Sequence, residues 1–207
     1  MTISTQGPDR DVAELFGPPP SGDDLAGLQA HLAARAEKAD LLDVAYRTLG
    51  TPVGTVLLAA TPRGLVRVAY EREGLDNVLE RLADKVSPRI LFAPARLDEA
   101  VRQLEEYFAQ RRTRFDLPVD LHLASGFRQS VLAYLPAIGY GQTASYGSVA
   151  SAVHNPKAVR AVGTACATNP LPLIIPCHRV VRSGGQLGGY VGGPEIKHQL
   201  LELEGRR

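Results

Sequence analysis

The chain has 207 residues, of which 44% are hydrophobic and 22% charged, and its formal net charge at pH 7 is +1. These values are typical of an intracellular, soluble protein with one or two small domains, and they exclude a disordered or fibrous chain. The longest apolar runs have the length of a strand, which excludes a membrane span, and the first twenty residues lack the apolar core of a signal peptide.

Residues 1 to about 22 have the composition of a disordered segment, with a stiff break at Gly17-Pro18-Pro19-Pro20. Leucines at spacings of three and four predict a polar helix over residues 23–42. We therefore expect residues 1–41 to form an N-terminal extension that is partly disordered and contains one helix.

Three segments of alternating polarity follow, at 44–49, 54–60 and 65–70, and turn residues separate them at hairpin spacing. This pattern predicts a three-stranded antiparallel meander. Apolar periodicity then predicts helices over about 74–86 and 97–111. Residues 42–122 are therefore interpreted as a small α/β domain.

Residues 123–207 are predicted to form a second, mostly helical domain. A helix from 126 to about 138 precedes a short helix after Ser145, and Asn155 is the expected cap of a further helix, with Pro156 in its first turn. The two short helices resemble a helix-turn-helix. The remaining expected elements are an apolar strand at 173–175, a glycine-rich hairpin from 183 to 193 and a last helix from 194 to 204.

Charge is divided unevenly between these two parts. From Phe127 onward the basic residues exceed the acidic ones by five, whereas the preceding residues contain four more acids than bases. The asymmetry predicts that the C-terminal part meets a polyanion, although a chance division of surface charge explains it equally well.

The second helix of the pair has two contrasting faces. A core stripe is predicted for Val159, Val162 and Cys166, which lie close together on a helical wheel. The opposite face is either an ordinary solvent face or one that enters a DNA groove, where small side chains permit close approach and cations meet phosphates. That face consists of Lys157, Arg160, Ala161 and Thr164.

Cys177 is the candidate nucleophile, because a thiol with a usual pKa of about 8.5 needs a base or a positive environment to react, and His178 and Arg179 follow it directly. Neighbouring side chains on a strand point in opposite directions, so contact between thiol and imidazole requires a water or a bend, for which Pro176 is suited. Glu204, on the apolar side of the last helix, either orients His178 or caps the chain end. The two cysteines and five histidines form no CxxC or HxxxH pair, so we expect reduced thiols and no metal site.

The segment 169–181, NPLPLIIPCHRVV, resembles the active-site segment of the O6-alkylguanine-DNA alkyltransferases, also called methylated-DNA–protein-cysteine methyltransferases. The resemblance extends over about 126–205 and includes SYG at 145–147, NPKAVRAVG at 155–163, GYVGG at 189–193 and LLELEG at 200–205. It implies a winged-helix-like DNA-binding domain over 123–207. The α/β domain matches only loosely, as the ribonuclease-H-like unit of these proteins, and residues 1–41 match nothing in the family.

The resemblance implies roles for individual residues. Cys177 would accept the alkyl group, His178 would act as its base through a water, and Glu204 would orient His178. Tyr146 would contact the flipped guanine and help to protonate it as it leaves, and Asn169 would brace the active-site turn.

The resemblance also implies a DNA surface and a base pocket. Arg160 would fill the gap left in the base stack, from a helix that enters the minor groove. The other implied DNA contacts are Lys157, Ala158, Ala161, Gly163, Thr164, Tyr146 and Arg179. The implied pocket residues are Pro172, Val180, Tyr190, Val191 and Gly192. Many family members have serine where this chain has Val191, so a hydroxyl contact is absent here.

The implied activity is direct-reversal DNA repair, in which an alkyl group, such as methyl, passes irreversibly from O6-alkylguanine in double-stranded DNA to Cys177 after base flipping. O4-alkylthymine is a second candidate substrate. We expect a single turnover, no cofactor, a monomer, and a location in the bacterial cytoplasm or the eukaryotic nucleus. The alternatives are a non-catalytic DNA-binding protein that senses alkylated bases and a cysteine hydrolase built on Cys177 and His178.

Overall fold

A computed structural model describes residues 21–205. The disorder predicted before residue 21 lies outside the described residues. Helix α1 (Gly22–Lys38) begins with a capping box, in which the Ser21 hydroxyl accepts from the Asp24 N–H at 3.2 Å and the Asp24 carboxylate accepts from the Ser21 N–H at 3.0 Å. The helix ends earlier than predicted, because Asp40 adopts a positive φ of 54°. No helix within residues 21–205 is long and apolar enough to cross a membrane.

The predicted meander is present as strands β1 (Val44–Thr51), β2 (Gly54–Thr61) and β3 (Gly64–Tyr70). A further strand, β4 (Ile90–Phe92), pairs in parallel with β1, so the sheet is mixed and has the order β3-β2-β1-β4. The prediction of three antiparallel strands was therefore incomplete. A strand of three residues is too short to show a period of two, which explains why the sequence did not reveal β4.

Two helices cover the sheet. Helix α2 (Leu75–Lys85) packs against one face through Val78 and Leu82. Helix α3 (Asp98–Phe108) contributes Leu104 and Tyr107 to the apolar cluster that includes side chains of β2 and β3. It begins after a 3-10 turn at Pro94–Leu97 and ends before Gln110, whose φ is 57°, so it is shorter than predicted.

The second domain contains α4 (Gly126–Tyr134), followed by a 3-10 turn, then α5 (Tyr146–Ala152), α6 (Val159–Ala167) and α7 (Pro194–Gly205). Ser145 caps α5 as predicted, because its hydroxyl accepts from the Ser148 N–H at 2.9 Å. A short parallel pair, β5 (Ala144–Ser145) and β6 (Val180–Val181), ties the start of α5 to the segment after Cys177.

The structure corrects the predicted start of α6. Residues 155–158 form a turn in which the Ala158 N–H donates to the Asn155 carbonyl at 2.9 Å, so Asn155 is not the cap of this helix. Val159 then opens the helix at the rim of a cleft and is 41% exposed, rather than part of the core stripe. Val162 and Cys166 are buried as predicted.

Two further elements of this domain differ from the prediction. Residues 173–175 form a turn instead of a strand, since Leu173 has a φ of 73° and the Ile175 N–H donates to the Leu171 carbonyl at 2.8 Å. Residues 183–193 form a loop instead of a hairpin. Their glycine content favours turns, and β6, which precedes them, pairs with β5.

The two domains share one apolar cluster, in which side chains from β2, β3 and α3 join those from α4 to α7. Strand β3 also meets the second domain through its backbone, because the Val68 N–H donates to the Pro170 carbonyl at 2.8 Å. Residues 169–177 are therefore held between the sheet of the first domain and the helices of the second.

Candidate active site

Cys177 lies at the end of a tight turn. The dihedral angles of Pro176, φ −78° and ψ 61°, are those of an inverse γ-turn, and the Cys177 N–H donates to the Ile175 carbonyl at 2.8 Å. The proline ring fixes the required φ, so the bend expected at Pro176 is confirmed. A 3-10 turn, Cys177–Arg179, follows at once.

Asn169 braces this turn from inside. Its side-chain amide is fully buried and donates to the Ile175 carbonyl at 2.9 Å and to the Cys177 Sγ at 3.1 Å. Its Oδ1 accepts from the Leu171 N–H at 3.0 Å. One side chain therefore fixes the turn and also directs a donor at the sulfur atom.

The thiol of Cys177 is 1% exposed. Burial raises its pKa to about 11, although the hydrogen bond from Asn169 and the positive charge of Lys197 oppose the rise. At neutral pH the resting group is therefore the thiol, and a nucleophilic reaction needs a base that removes its proton.

His178 has the hydrogen bonding required of such a base. Its Nε2 lies 2.8 Å from Oε1 of Glu204, which confirms the expected contact. Because an ionised carboxylate only accepts, Nε2 carries the ring proton and Nδ1 has a free lone pair. Within residues 21–205, Nδ1 is buried without a hydrogen-bond partner. Burial lowers the pKa of His178, so its imidazole is neutral at pH 7 and able to take a proton.

Glu204 is the centre of a larger network than the sequence predicted. Its carboxylate also accepts from the Tyr107 hydroxyl at 2.7 Å and from the Gly141 N–H at 3.2 Å. Burial alone would raise the pKa of Glu204, but the hydrogen bonds and charges of His178 and Arg179 together lower it to about 2. The carboxylate is therefore ionised throughout the physiological pH range.

Arg179, predicted to contact DNA, faces the protein interior. Its Nε and Nη2 donate to Glu204 at 2.9 and 3.0 Å, and its Nη1 donates to the Ile138 carbonyl at 2.6 Å. The side chain is 7% exposed. This placement corrects the predicted DNA contact, because the guanidinium neutralises the buried carboxylate instead.

Most of the predicted pocket residues are buried, as the thiol of Cys177 is. Pro172, Val180, Tyr190 and Gly192 are buried. The Tyr190 hydroxyl forms a 2.8 Å hydrogen bond with the hydroxyl of Tyr70, from β3. Val191 is half-buried and lines a separate cavity beside Asn169 and Pro170.

The predicted DNA face lies beside this site. Its exposed members are Lys157, Arg160, Ala161 and Thr164, whereas Ala158, Gly163 and Tyr146 are half-buried. Arg160, Gly163 and Tyr146 line a cleft of about 360 Å³. Gly188 lines the same cleft and lies so close to the Tyr146 ring that a Cβ at this position would collide with the hydroxyl.

Two family models match the chain, one over each domain. Residues 44–121 match the 6-O-methylguanine DNA methyltransferase, ribonuclease-like domain, and residues 126–206 match the DNA binding domain of the same family. The chain belongs to the 6-O-methylguanine DNA methyltransferase family. The site residues Asn169, Cys177, His178 and Glu204 all lie within the second match.

Curated and solved relatives agree with this assignment. The methylated-DNA–protein-cysteine methyltransferase of Mycobacterium tuberculosis is 39% identical over 162 residues, which cover 78% of this chain and 93% of the relative. The constitutive methylated-DNA–protein-cysteine methyltransferase of Bacillus subtilis is 38% identical, and the alignment covers 77% of this chain and 94% of the relative. The crystal structure of the M. tuberculosis O6-methylguanine methyltransferase aligns with a TM-score of 0.70 at 38% identity over 79% of this chain and 94% of that one. The crystal structure of the same M. tuberculosis protein in complex with DNA aligns with a TM-score of 0.67 at 38% identity. The alignment covers 78% of this chain and 92% of that one.

Within this methyltransferase site, sequence reasoning missed Lys197. Its side chain is completely buried, and Nζ donates to the Val180 carbonyl at 2.5 Å and lies 5.9 Å from the centre of the Tyr146 ring. Burial lowers the pKa of Lys197. The sequence could have indicated this burial through helical spacing. Lys197 lies three residues before Leu200 and seven before Glu204, so all three are on the same, buried face of α7.

Arg182 was also missed. It is exposed and lines the same cleft as Arg160, and within residues 21–205 its guanidinium makes no ion pair. The sequence offered no signal for this juxtaposition, because Arg182 follows β6 and Arg160 lies on α6. Two cations, Arg160 and Arg182, therefore line this cleft.

Proposed function

We propose that this protein repairs DNA by direct reversal, transferring the alkyl group of O6-alkylguanine irreversibly to Cys177. The observation that carries the proposal is the buried Cys177–His178–Glu204 arrangement in the same domain as a cleft lined by Arg160 and Tyr146. The name of the M. tuberculosis relative and its complex with DNA support it. The hydrolase reading has no comparable support.

Transfer begins when Nδ1 of His178 takes the thiol proton, directly or through a water. The imidazolium that forms is stabilised by the ionised Glu204, whose position 2.8 Å from Nε2 is already set. The sulfur attacks the alkyl carbon, a C–S bond forms, and the bond from that carbon to guanine O6 breaks. Because water does not readily cleave the resulting thioether, each molecule acts once and needs no cofactor.

The departing guanine takes the electron pair of the broken bond and needs a proton. We propose that the Tyr146 hydroxyl supplies it. Tyr146 lines the cleft and lies over Lys197. Burial raises the pKa of Tyr146 to about 12, so the phenol carries its proton at neutral pH.

DNA binds through α5 and α6, which act as the helix-turn-helix of a winged-helix-like domain. Helix α6 enters the minor groove, where Arg160 fills the space of the extruded base and Lys157 and Arg182 meet phosphates. The small exposed side chains of Ala161 and Thr164 permit close approach. The protein acts as a monomer, since the nucleophile and the DNA face belong to one domain.

A base reaches Cys177 only if the cover over the thiol moves, because the sulfur is buried. The element best placed to move is loop 183–189, which contains Gly184, Gly185, Gly188 and Gly189 and has few backbone hydrogen bonds among the described residues. Displacement of Gly188 from the Tyr146 hydroxyl would widen the cleft that both residues line.

The test is incubation with duplex DNA containing one O6-methylguanine, followed by peptide mass mapping. The peptide that holds Cys177 should gain the mass of one CH₂, at one methyl group per protein molecule. Cys177→Ser should bind the DNA without consuming the lesion. Cys166→Ser is the matched control and should still react, since burial raises the pKa of Cys166 to about 12 and it lies on α6.

Binding of the lesion without any mass gain would contradict the proposal and favour the non-catalytic sensor. Repeated turnover of a peptide or ester substrate would favour a hydrolase. The same assay with O4-methylthymine DNA tests the second substrate. Val191→Ser should change the relative rates for the two lesions, if a hydroxyl at this position contacts the base.

A further inference from the structure

Arg67 joins the first domain to the segment that leads to Cys177. It lies on β3, and its Nη1 donates to the carbonyls of Asn169 and Pro170 at 3.4 and 3.2 Å. The side chain is 13% exposed. The neighbouring Val68 N–H also donates to the Pro170 carbonyl, at 2.8 Å, so side chain and strand hold the same peptide unit.

Glu73 fixes the position of Arg67. Its Oε2 accepts from Nη2 of Arg67, and its Oε1 accepts from the Tyr70 N–H at 2.9 Å. Both partners of the ion pair are mostly buried, with the Glu73 side chain 14% exposed. A partly desolvated pair with additional hydrogen bonds holds one geometry more firmly than an exposed surface pair.

The contacts continue from Arg67 to the sulfur atom. Arg67 holds the carbonyl of Asn169, and the side chain of the same Asn169 donates to the Cys177 Sγ at 3.1 Å. A shift of the Asn169 backbone would therefore move the donor that faces the thiol. The path Glu73–Arg67–Asn169–Cys177 crosses the boundary between the domains.

We propose that Arg67, held by Glu73, is a positioning residue for alkyl transfer, which sets the hydrogen bond from Asn169 to the Cys177 sulfur. The inference rests on the proposed function. It gives the first domain a role in the chemistry of the second, beyond covering the shared core. The donor facing the sulfur favours the thiolate, so its misplacement slows transfer rather than DNA binding.

The experiment measures single-turnover transfer from saturating O6-methylguanine duplex between pH 6 and 10, with the dissociation constant for DNA measured separately. Arg67→Met keeps the apolar stem but removes every donor. It should slow transfer at pH 7 by about tenfold and move the pH profile upward by about one unit, since one pKa unit changes the thiolate fraction tenfold. DNA affinity should change by less than about twofold, because Arg67 is mostly buried and its donors are used by Asn169, Pro170 and Glu73.

Arg67→Lys should restore part of the rate, and Glu73→Gln should have a smaller effect of the same kind. Arg47→Met is the matched control, because Arg47 forms a 2.7 Å ion pair with Asp98 inside the first domain. The proposal is wrong if folded Arg67→Met and Glu73→Gln lower the melting temperature but leave the pH profile of transfer unchanged. Absence of transfer by the wild-type protein would instead overturn the proposed function.

Discussion

Two buried cations lie close to the active-site turn and act on different groups. Arg179 neutralises Glu204 through two hydrogen bonds. Lys197 has no carboxylate partner within residues 21–205, and its charge lowers the pKa of the Cys177 thiol against the effect of burial. Burying a lysine without a counter-ion destabilises the folded protein. Its charge near the Cys177 thiol favours the thiolate, which is a functional reason for its position.

We expect Lys197→Gln to slow alkyl transfer by about tenfold at pH 7 and to shift the transfer profile to higher pH, since the thiolate loses a nearby positive charge. Glutamine keeps an N–H donor but carries no charge, so the change removes the charge from a side chain that stays polar. The pH dependence of single-turnover transfer measures the effect. An unchanged profile in a folded variant would show that Lys197 only supports the structure.

Glu204 should also determine acid stability. Its folded pKa of about 2 lies below the usual value of 4.5, so its contribution is complete above pH 4.5 and disappears as the pH falls toward 2. Glu204→Gln should therefore be less stable than wild type near pH 7, and this difference should shrink through that window. Urea unfolding from pH 2 to 7 measures it. The exposed Glu202→Gln on the same helix should follow the wild-type curve.

At the scale of elements, α6 brings together groups with separate tasks. Arg160 lines the cleft beside Tyr146, whereas Lys157 is exposed in the turn before the helix. If Arg160 fills the gap in the base stack, its loss affects extrusion, and loss of Lys157 affects only phosphate binding. The two positions therefore form a matched pair in which one charge is removed in each variant.

We expect Lys157→Ala and Arg160→Ala each to reduce the salt dependence of DNA binding by about one unit of slope. Arg160→Ala should in addition slow transfer from duplex DNA by about tenfold or more, since extrusion costs a few kcal/mol. On single-stranded DNA with the same lesion, that additional loss should disappear because there is no stack to refill. If Arg160→Ala slowed transfer equally on duplex and single-stranded DNA, Arg160 would not act by filling the gap in the base stack.

The elements that the sequence predicted well are those with long apolar periods. Helix α7 and strands β1 to β3 show their period over seven residues or more, and the burial of Glu204 followed from its helical phase. The turn at Leu173 could not be predicted, since a run of apolar residues also fits a buried strand. Arg179 was misassigned because its partner lies 25 residues away, and local sequence does not report such pairs.

At the scale of the whole molecule, the first domain holds two segments of the second domain, residues 169–170 and 190–192. The contacts come from β3 and the turn after it. Arg67 and Val68 hold residues 169–170, while the Tyr70 hydroxyl and Nη1 of Arg72 hold Tyr190 and the Gly192 carbonyl at 2.8 and 2.9 Å. None of these contacts involves α1, which packs through Ala33 and Ala36 on a small cluster that includes Leu42 and Ala93.

Helix α1 provides the last test, because its two halves differ. Leu25, Leu28 and Leu32 are exposed, whereas Ala33 and Ala36 cover Leu42. Deletion of residues 1–28 should therefore change the free energy of unfolding by less than about 1 kcal/mol, the scale of a lost helix cap. Deletion of residues 1–41 uncovers the small cluster and should cost about 1–3 kcal/mol.

Both deletions should leave the rate of alkyl transfer within about twofold of wild type, since the first domain contacts the site through β3 and the turn after it rather than through α1. Chemical unfolding and single-turnover transfer on the same two variants separate stability from chemistry. A transfer rate that falls with the longer deletion, at a temperature where the variant is fully folded, would mean that α1 acts on the site through Leu42 and β1. The site would then depend on the entire sheet rather than on the β3 edge alone.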